Sequence, residues 1–129
     1  MDIESLQKIS KRFIDERDWR KFQTAKELAI NTSIEANELL ELFLWKDGKR
    51  IDKSLKSHKD DELLKKIENE TADVFFSCLA MADHLGFDLG EAFLSKMEQL
   101  DKRYDKRKVK GKVVKISEED WLSRRKRRP

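Results

Sequence analysis

Hydrophobic residues recur along this chain with the three-to-four-residue spacing that is typical of amphipathic helices. The spacing predicts four helices, at about residues 2–17, 24–45, 60–85 and 88–108. The second helix begins at Thr24, whose side chain can cap the first turn together with Glu27. The third is followed by Gly86, which favours a left-handed C-cap. The polar segment 46–59 is predicted to be a loop.

The third helix is apolar on nearly all sides between Val74 and Ala82, so it is predicted to be central or covered by a second subunit. Mostly short connections favour an antiparallel four-helix bundle, and hence an all-α fold. Within it, the fourth helix is expected to turn Phe93 and Met97 inward. Four glycines and one proline provide too few turns for a β-sandwich or barrel.

The pattern changes after Lys108, which predicts a helical domain over residues 1–108 and a basic C-terminal tail over residues 109–129. Residues 109–116 are compatible with a hairpin or an extended arm, and residues 117–120 can cap a short terminal helix. Residues 102–129 contain 13 Lys and Arg against 4 Asp and Glu, a net charge of +9, which leaves −6 on the first 101 residues. Such segregated charge needs a physical cause.

Composition narrows the classes of function. The longest apolar stretch falls well short of the roughly 20 residues that span a bilayer, and no secretory leader is recognisable, so we expect a cytoplasmic protein with no membrane partner. Two histidines and one cysteine cannot supply a Cys/His zinc site. Neither a dinucleotide-binding fingerprint nor a Walker A loop is present. A metal in this protein would therefore be held by carboxylates.

Carboxylates occupy positions in the second and third helices where apolar residues are expected. On a helical wheel Glu35 lies among Leu28, Leu39 and Leu42, and Glu70 lies in the same way among Leu63, Val74 and Met81. Each of the two has a second carboxylate three residues later, Glu38 and Asp73, which is close enough to act together with it.

Four like charges at a bundle interior repel each other and lose hydration, so they persist only by binding protons or a cation. Oxygen ligands favour Mg²⁺, with Mn²⁺ as the alternative, and Mg²⁺ commonly joins carboxylates to substrate phosphates. Glu41 points about 120° away from Glu35 on the wheel and could reach a second ion or orient a water. Glu-x-x-Glu pairs are also common on solvated helix faces, and that interpretation stays open for the pattern alone.

The segments Glu35-Ala-Asn-Glu38-Leu-Leu-Glu41-Leu-Phe-Leu-Trp45 and Glu70-Thr-Ala-Asp73-Val resemble the Glu-x-x-Glu and Glu-x-x-Asp pattern of the MazG-like all-α nucleoside triphosphate pyrophosphohydrolases. The dCTP pyrophosphatase branch is the most similar. Arg17-Asp18-Trp19 and Phe22 resemble an upstream element of that branch, and the segments around Lys96 and Arg103 resemble its closing helix. The resemblance covers about residues 3–105.

This resemblance implies Mg²⁺-dependent hydrolysis of a (deoxy)nucleoside triphosphate to a monophosphate and pyrophosphate, as nucleotide-pool house-cleaning. It implies the metal ligands Glu35, Glu38, Glu70 and Asp73. Catalytic roles are assigned to Glu38 and to Glu41, the latter as the residue that activates water or holds another ion. The substrate-binding residues implied are Trp19 and Trp45 around the base and Lys96 and Arg103 on the phosphates. The resemblance also implies a homodimer or a tetramer built from dimers.

Three positions depart from the pattern of the branch, with Ser10 for a histidine, Ser77 for a tyrosine and Leu100 for an asparagine, so the preferred base is left open. Two other functions compete with hydrolysis. The +9 tail could bind nucleic acid, with the steep salt dependence of phosphate contacts. Alternatively, the chain could be a structural helical oligomer with a degenerate metal site.

Overall fold

The computed structural model describes residues 1–126, and every regular element within that range is a helix. The α-helices are α1 Ile3–Glu16, α2 Ala25–Glu41, α3 Gly48–Lys56, α4 Asp61–Leu85, α5 Leu89–Arg103, α6 Lys106–Val109 and α7 Glu118–Lys126. A short 3₁₀ turn, Arg20–Phe22, lies between α1 and α2. The all-α prediction is confirmed.

Local capping explains where the first helices begin and end. The Thr24 side chain accepts a hydrogen bond of 3.2 Å from the backbone N–H of Glu27, as the capping box predicts. Asp60 caps α4 in the same way through the N–H of Leu63, at 3.1 Å. Gly86 ends α4 with φ +75°, a left-handed conformation that glycine adopts at little cost.

The prediction of a loop over residues 46–59 is wrong, because this segment contains α3. Asp47 accepts a hydrogen bond of 2.9 Å from the N–H of Arg50 and so caps the new helix. Ile51 and Leu55 are half-buried, and α3 packs against α4. One N-cap and one apolar pair four residues apart are therefore enough to override the polar composition.

The chain divides into two compact units, residues 1–89 and residues 90–129. In the first unit α4 packs against both α1 and α2, and Ile14, Leu28 and Ala80 form a buried cluster against which Phe76 packs. The predicted position of Leu28 on an apolar face is thus confirmed. The buried residues of α4 are Leu63, Ser77, Leu79, Ala80 and Ala82. None of the described helices combines the length and the apolar character needed to cross a membrane.

In the second unit, Tyr104 ties the irregular segment 110–117 to the end of α5. Its hydroxyl accepts a hydrogen bond of 2.9 Å from the N–H of Ile116 and donates one of 3.0 Å to the carbonyl of the same residue. The described segment 110–117 has no strand, so the hairpin alternative is wrong, and α7 follows where a short terminal helix is predicted. Phe93 is 61% exposed and Met97 46% exposed within the described chain, so the prediction that α5 buries them is wrong for a single chain.

Candidate metal centre

Direct packing of α2 on α4 brings three glutamates together. One carboxylate oxygen from each of Glu35, Glu38 and Glu70 lies within 4.8 Å of the other two. Glu35 and Glu38 are one turn apart on α2, and Glu70 approaches from the facing helix. The convergence predicted from the helical wheels is therefore present for these three residues.

Part of the cluster is shielded from solvent. Glu35 and Glu70 are half-buried, and Glu38 is exposed. The Oε2 atoms of Glu35 and Glu70 are both buried and have no hydrogen-bond partner among residues 1–126. An unpaired carboxylate oxygen in such a place is unfavourable unless a proton or a cation compensates it.

Electrostatics in the cluster disfavour ionisation of these two glutamates. Burial, followed by the hydrogen bond and charge of Glu38, raises the pKa of Glu35 above its ordinary value of 4.5. Burial and the charges of Glu38 and Asp73 likewise raise the pKa of Glu70. A bound divalent cation would reverse this effect, because an opposite charge a few ångströms away favours the ionised form.

The donor set fits a hard divalent cation. Three convergent carboxylates, two of them with an unsatisfied buried oxygen, are suited to Mg²⁺ or Mn²⁺ rather than to a metal that prefers nitrogen or sulfur. Glu35, Glu38 and Glu70 would hold the ion.

Asp73 and Glu41 lie close enough to the cluster to act on it electrostatically. The charge of Asp73 raises the pKa of both Glu35 and Glu70, and the charge of Glu41 raises that of Glu70. Asp73 is not among the three residues within 4.8 Å of one another. The direct ligand role of Asp73 and the catalytic role of Glu41 stay predictions.

An apolar cavity of about 420 Å³ lies between α1 and α4, with Asp73 in its wall. Phe13 and Phe76 also line it, packed edge to face with ring centroids 5.7 Å apart. Ser10 is the other polar wall residue; it is 3% exposed, and its Oγ has no hydrogen-bond partner in the described chain. The cavity therefore places one buried hydroxyl and one carboxylate in an otherwise hydrophobic wall.

The two tryptophans predicted at the base occupy different surroundings. Trp19 packs edge to face on Phe13, with centroids 5.6 Å apart, and so supports the wall of this cavity from outside its lining. Trp45 is fully exposed, has φ +64° and lines a separate cavity of about 380 Å³ with Arg50 and Ile51. A left-handed backbone at a non-glycine residue is a strained conformation.

The predicted phosphate-binding residues Lys96 and Arg103 belong to α5, in the second unit. Lys96 is exposed. The Arg103 side chain is only 8% exposed, and its guanidinium lies 5.7 Å from the centroid of the Trp121 ring. Their contact with a nucleotide stays a prediction.

Three convergent carboxylates beside an apolar cavity, in a chain whose described regular elements are all helices, are the features by which this protein can be compared with known families. A model of the MazG-like family matches residues 30–119, well over half of the chain. The chain therefore belongs to the MazG-like family, and the resemblance to its nucleoside triphosphate pyrophosphohydrolases is confirmed.

Individual relatives agree with this assignment. The dCTP pyrophosphatase 1 of Bos taurus is 28% identical over 116 residues, which cover 90% of this chain and 67% of the bovine protein. The dCTP pyrophosphatase 1 of Homo sapiens is 32% identical over 103 residues, covering 79% of this chain and 58% of the human protein. This chain thus aligns with about two thirds or less of their length.

A solved structure has the same fold. The crystal structure of a pyrophosphatase from Archaeoglobus fulgidus DSM 4304 superimposes with a TM-score of 0.67 at 35% sequence identity, over 79% of this chain and 91% of that one.

Proposed function

We propose that this protein hydrolyses a (deoxy)nucleoside triphosphate to a nucleoside monophosphate and pyrophosphate, as a step of nucleotide-pool house-cleaning. The observation that carries the proposal is the convergence of Glu35, Glu38 and Glu70 within 4.8 Å in a chain of the MazG-like family. Relatives named dCTP pyrophosphatase 1 make a pyrimidine deoxynucleotide the first substrate to test.

In this proposal Glu35, Glu38, Glu70 and Asp73 hold Mg²⁺, for which Mn²⁺ can substitute. When bound, the ion neutralises phosphate charge and lowers the pKa of coordinated water. The two unsatisfied buried oxygens of Glu35 and Glu70 gain a partner in that state.

The chemical step is a displacement at the α-phosphorus. The oxygen of a water molecule forms a bond to that phosphorus, the bond from the phosphorus to the α–β bridging oxygen breaks, and pyrophosphate leaves with the electron pair. Glu41 accepts the proton that the water loses, and Glu38 helps to orient the water. Phosphoryl transfer of this kind depends mainly on positioning and charge stabilisation, so no protein nucleophile is needed.

The apolar cavity between α1 and α4 is the proposed site for the base. Asp73 lies in its wall and also acts electrostatically on Glu70 of the acidic cluster, so a nucleotide can place its base in the cavity and its phosphates at the carboxylates. The buried hydroxyl of Ser10 is available to hydrogen-bond a polar edge of the base. Trp19 supports the wall through Phe13.

We further propose that the protein works as a homodimer or as a dimer of dimers. Within a single described chain, α2 exposes Ile30, Ile34 and Leu40 to between 48% and 55%. Exposed apolar residues at helical spacing are typical of a face that a second subunit covers. A sedimentation mass equal to one chain would contradict this part of the proposal.

The experiment that tests the activity compares wild type with Glu38→Gln across all common nucleoside and deoxynucleoside triphosphates in the presence of Mg²⁺. Release of pyrophosphate by wild type, and its loss by at least about a hundredfold in Glu38→Gln, is the expected result, because removing a metal ligand or a group that orients water typically costs that much. Glu68→Gln is the matched control, since Glu68 lies on the exposed side of α4 and pairs with Lys65 at 3.2 Å. No pyrophosphate release above the level of Glu38→Gln with any nucleotide would refute the proposal.

A further inference from the structure

The C-terminal unit contains a partly enclosed basic cavity of about 210 Å³ between the end of α5 and α7. Four cationic residues line it, namely Lys102, Arg103, Lys108 and Arg124. The acid in its lining, Asp105, is already engaged by Arg107 at 3.1 Å, and this contact lowers the pKa of Asp105. The charge that faces the cavity is therefore strongly positive.

Arg103 distinguishes this cavity from a merely charged surface, because its guanidinium is buried and lacks hydrogen-bond partners. Its side chain is more than nine-tenths buried, yet Nε and Nη2 have no hydrogen-bond partner among the described residues. The nearest carboxylate, from Glu118, lies 3.9 Å from Nη2, which is beyond hydrogen-bond distance. A buried guanidinium without an acceptor is costly, so an external anion would stabilise this arrangement.

The two unpartnered atoms also indicate the shape of the missing ligand. The Nε–H and Nη2–H groups of a guanidinium form two parallel donors, the arrangement that binds two oxygens of one carboxylate or phosphate. Several cations around one small space favour a group with more than one negative charge. The cavity is smaller than the roughly 300–1,000 Å³ of sites that enclose drug-sized ligands, so it fits an anionic group and not a whole nucleotide.

We propose that this cavity binds a phosphate group, with the Nε and Nη2 atoms of Arg103 as its paired donors and Lys108 and Arg124 as supporting charges. The group is either free phosphate or pyrophosphate, or the terminal phosphate of a nucleotide. Trp121, whose ring covers the Arg103 guanidinium, reports on occupancy. Arg103 is also the residue for which the family resemblance implies a phosphate contact. The site needs no metal and uses none of the residues of the acidic cluster, so binding in the absence of metal tests it separately from the proposed hydrolysis.

The test is a titration of the full-length chain in EDTA with inorganic phosphate, pyrophosphate and a deoxynucleoside monophosphate, at low and at physiological salt. Calorimetry measures affinity, and the indole N–H resonance of Trp121, assigned with Trp121→Phe, locates the site. We expect saturable binding of one anion per chain with a shift of that resonance. The anion that binds most tightly identifies the source of the phosphate group.

Variants separate a built site from general charge. Arg103→Gln is expected to weaken binding by about ten- to a hundredfold, the loss that follows from removing a charged hydrogen-bond donor pair. Lys108→Gln and Arg124→Gln change exposed side chains, so they remain informative if Arg103→Gln does not fold, and each is expected to weaken binding several-fold. Lys112→Gln, a change at an exposed tail residue outside the cavity, leaves binding unchanged.

Three results would overturn the proposal. One is the absence of saturation by any of the anions up to about 10 mM, a concentration at which even millimolar affinity is visible. Another is an equal loss of binding in Lys112→Gln and Arg124→Gln, which would indicate diffuse charge. The third is binding of single-stranded DNA alone, with no shift by small anions, which would make the tail a nucleic-acid contact instead.

Discussion

Replacing Glu70 by glutamine removes one negative charge from the acidic cluster and keeps the shape of the side chain. In wild type without metal, burial and the charges of Glu38 and Asp73 all disfavour the ionised form of this carboxylate and raise its pKa. Ionisation in the folded state is thus less favourable than in the unfolded chain, and it lowers the free energy of unfolding. We therefore expect Glu70→Gln to be more stable than wild type in EDTA.

Magnesium should reverse the order of stability. A ligand present at a hundred times its Kd stabilises the native state by about 2.7 kcal/mol. An unfolding entropy of roughly 2.1 cal/mol/K per residue gives about 0.27 kcal/mol/K for 129 residues, so wild type gains about 10 °C in Tm. Glu70→Gln removes one of three carboxylates that lie within 4.8 Å of one another, and we take the resulting loss of magnesium affinity as about a hundredfold. At the same magnesium concentration the variant is then stabilised by only about 0.4 kcal/mol, a rise in Tm of about 1.5 °C.

The assay is thermal unfolding of wild type, Glu70→Gln and Glu68→Gln, each in EDTA and in MgCl₂. Glu68→Gln removes the same charge from the same helix but outside the cluster, so it keeps the full gain in Tm from magnesium. It loses at most about 1 kcal/mol, because its ion pair with Lys65 is exposed. A variant at position 70 that is no more stable than wild type in EDTA, or that gains as much from magnesium, would refute the reasoning.

Three more predictions concern stability. The pKa values of Glu35 and Glu70 are raised above 4.5 in the folded state, so the metal-free protein is expected to lose stability as the pH rises from 4.5 through those raised values. A Tm that increases with pH over this range in EDTA would contradict this prediction. Ile14→Ala empties a fully buried position and is expected to cost about 2–5 kcal/mol in urea unfolding, whereas a cost below about 1 kcal/mol would mean that α1 is not packed as described. Asp83→Asn weakens the 2.7 Å contact with Arg20, and we expect the free energy of unfolding in urea to fall by about 1 kcal/mol, because Arg20 is about a third exposed. An unchanged unfolding midpoint would show that the pair contributes nothing to stability.

The acidic cluster could be predicted from the sequence because its signal is local. Glu35 and Glu70 each lie among leucines or other apolar residues at helical spacing, so the helical period alone turns them towards the partner helix. Pairing α2 with α4 then needs only their order in the chain. The convergence of Glu35, Glu38 and Glu70 follows from that packing.

Other features depend on contacts that no local pattern encodes. Ser10 reads as a polar interruption of α1, and its burial beside an apolar cavity becomes visible only when α4 is in place. The sequence pattern does not predict α3, because its apolar residues, Ile51 and Leu55, lie among lysines and other polar residues and follow a glycine. Phe93 and Met97 were assigned to the core by their period, and a period identifies an apolar face without saying whether the same chain or another one covers it.

The segregation of charge along the chain has a physical explanation if both proposed sites exist. The acidic cluster in the first unit repels phosphate groups as long as no cation is bound. We therefore expect the metal ion to bind to this unit before the nucleotide does. The basic cavity in the second unit has the opposite sign and, in our proposal, binds a phosphate group without metal. If the carboxylates of the acidic cluster and the cations of the basic cavity lay on one surface, they would form ion pairs with each other. Neither a metal ion nor a phosphate would then be needed to neutralise them. The net charge is −6 on residues 1–101 and +9 on residues 102–129. With this segregation, the charges of the two proposed sites are not neutralised within the protein, so each site attracts a ligand of opposite charge.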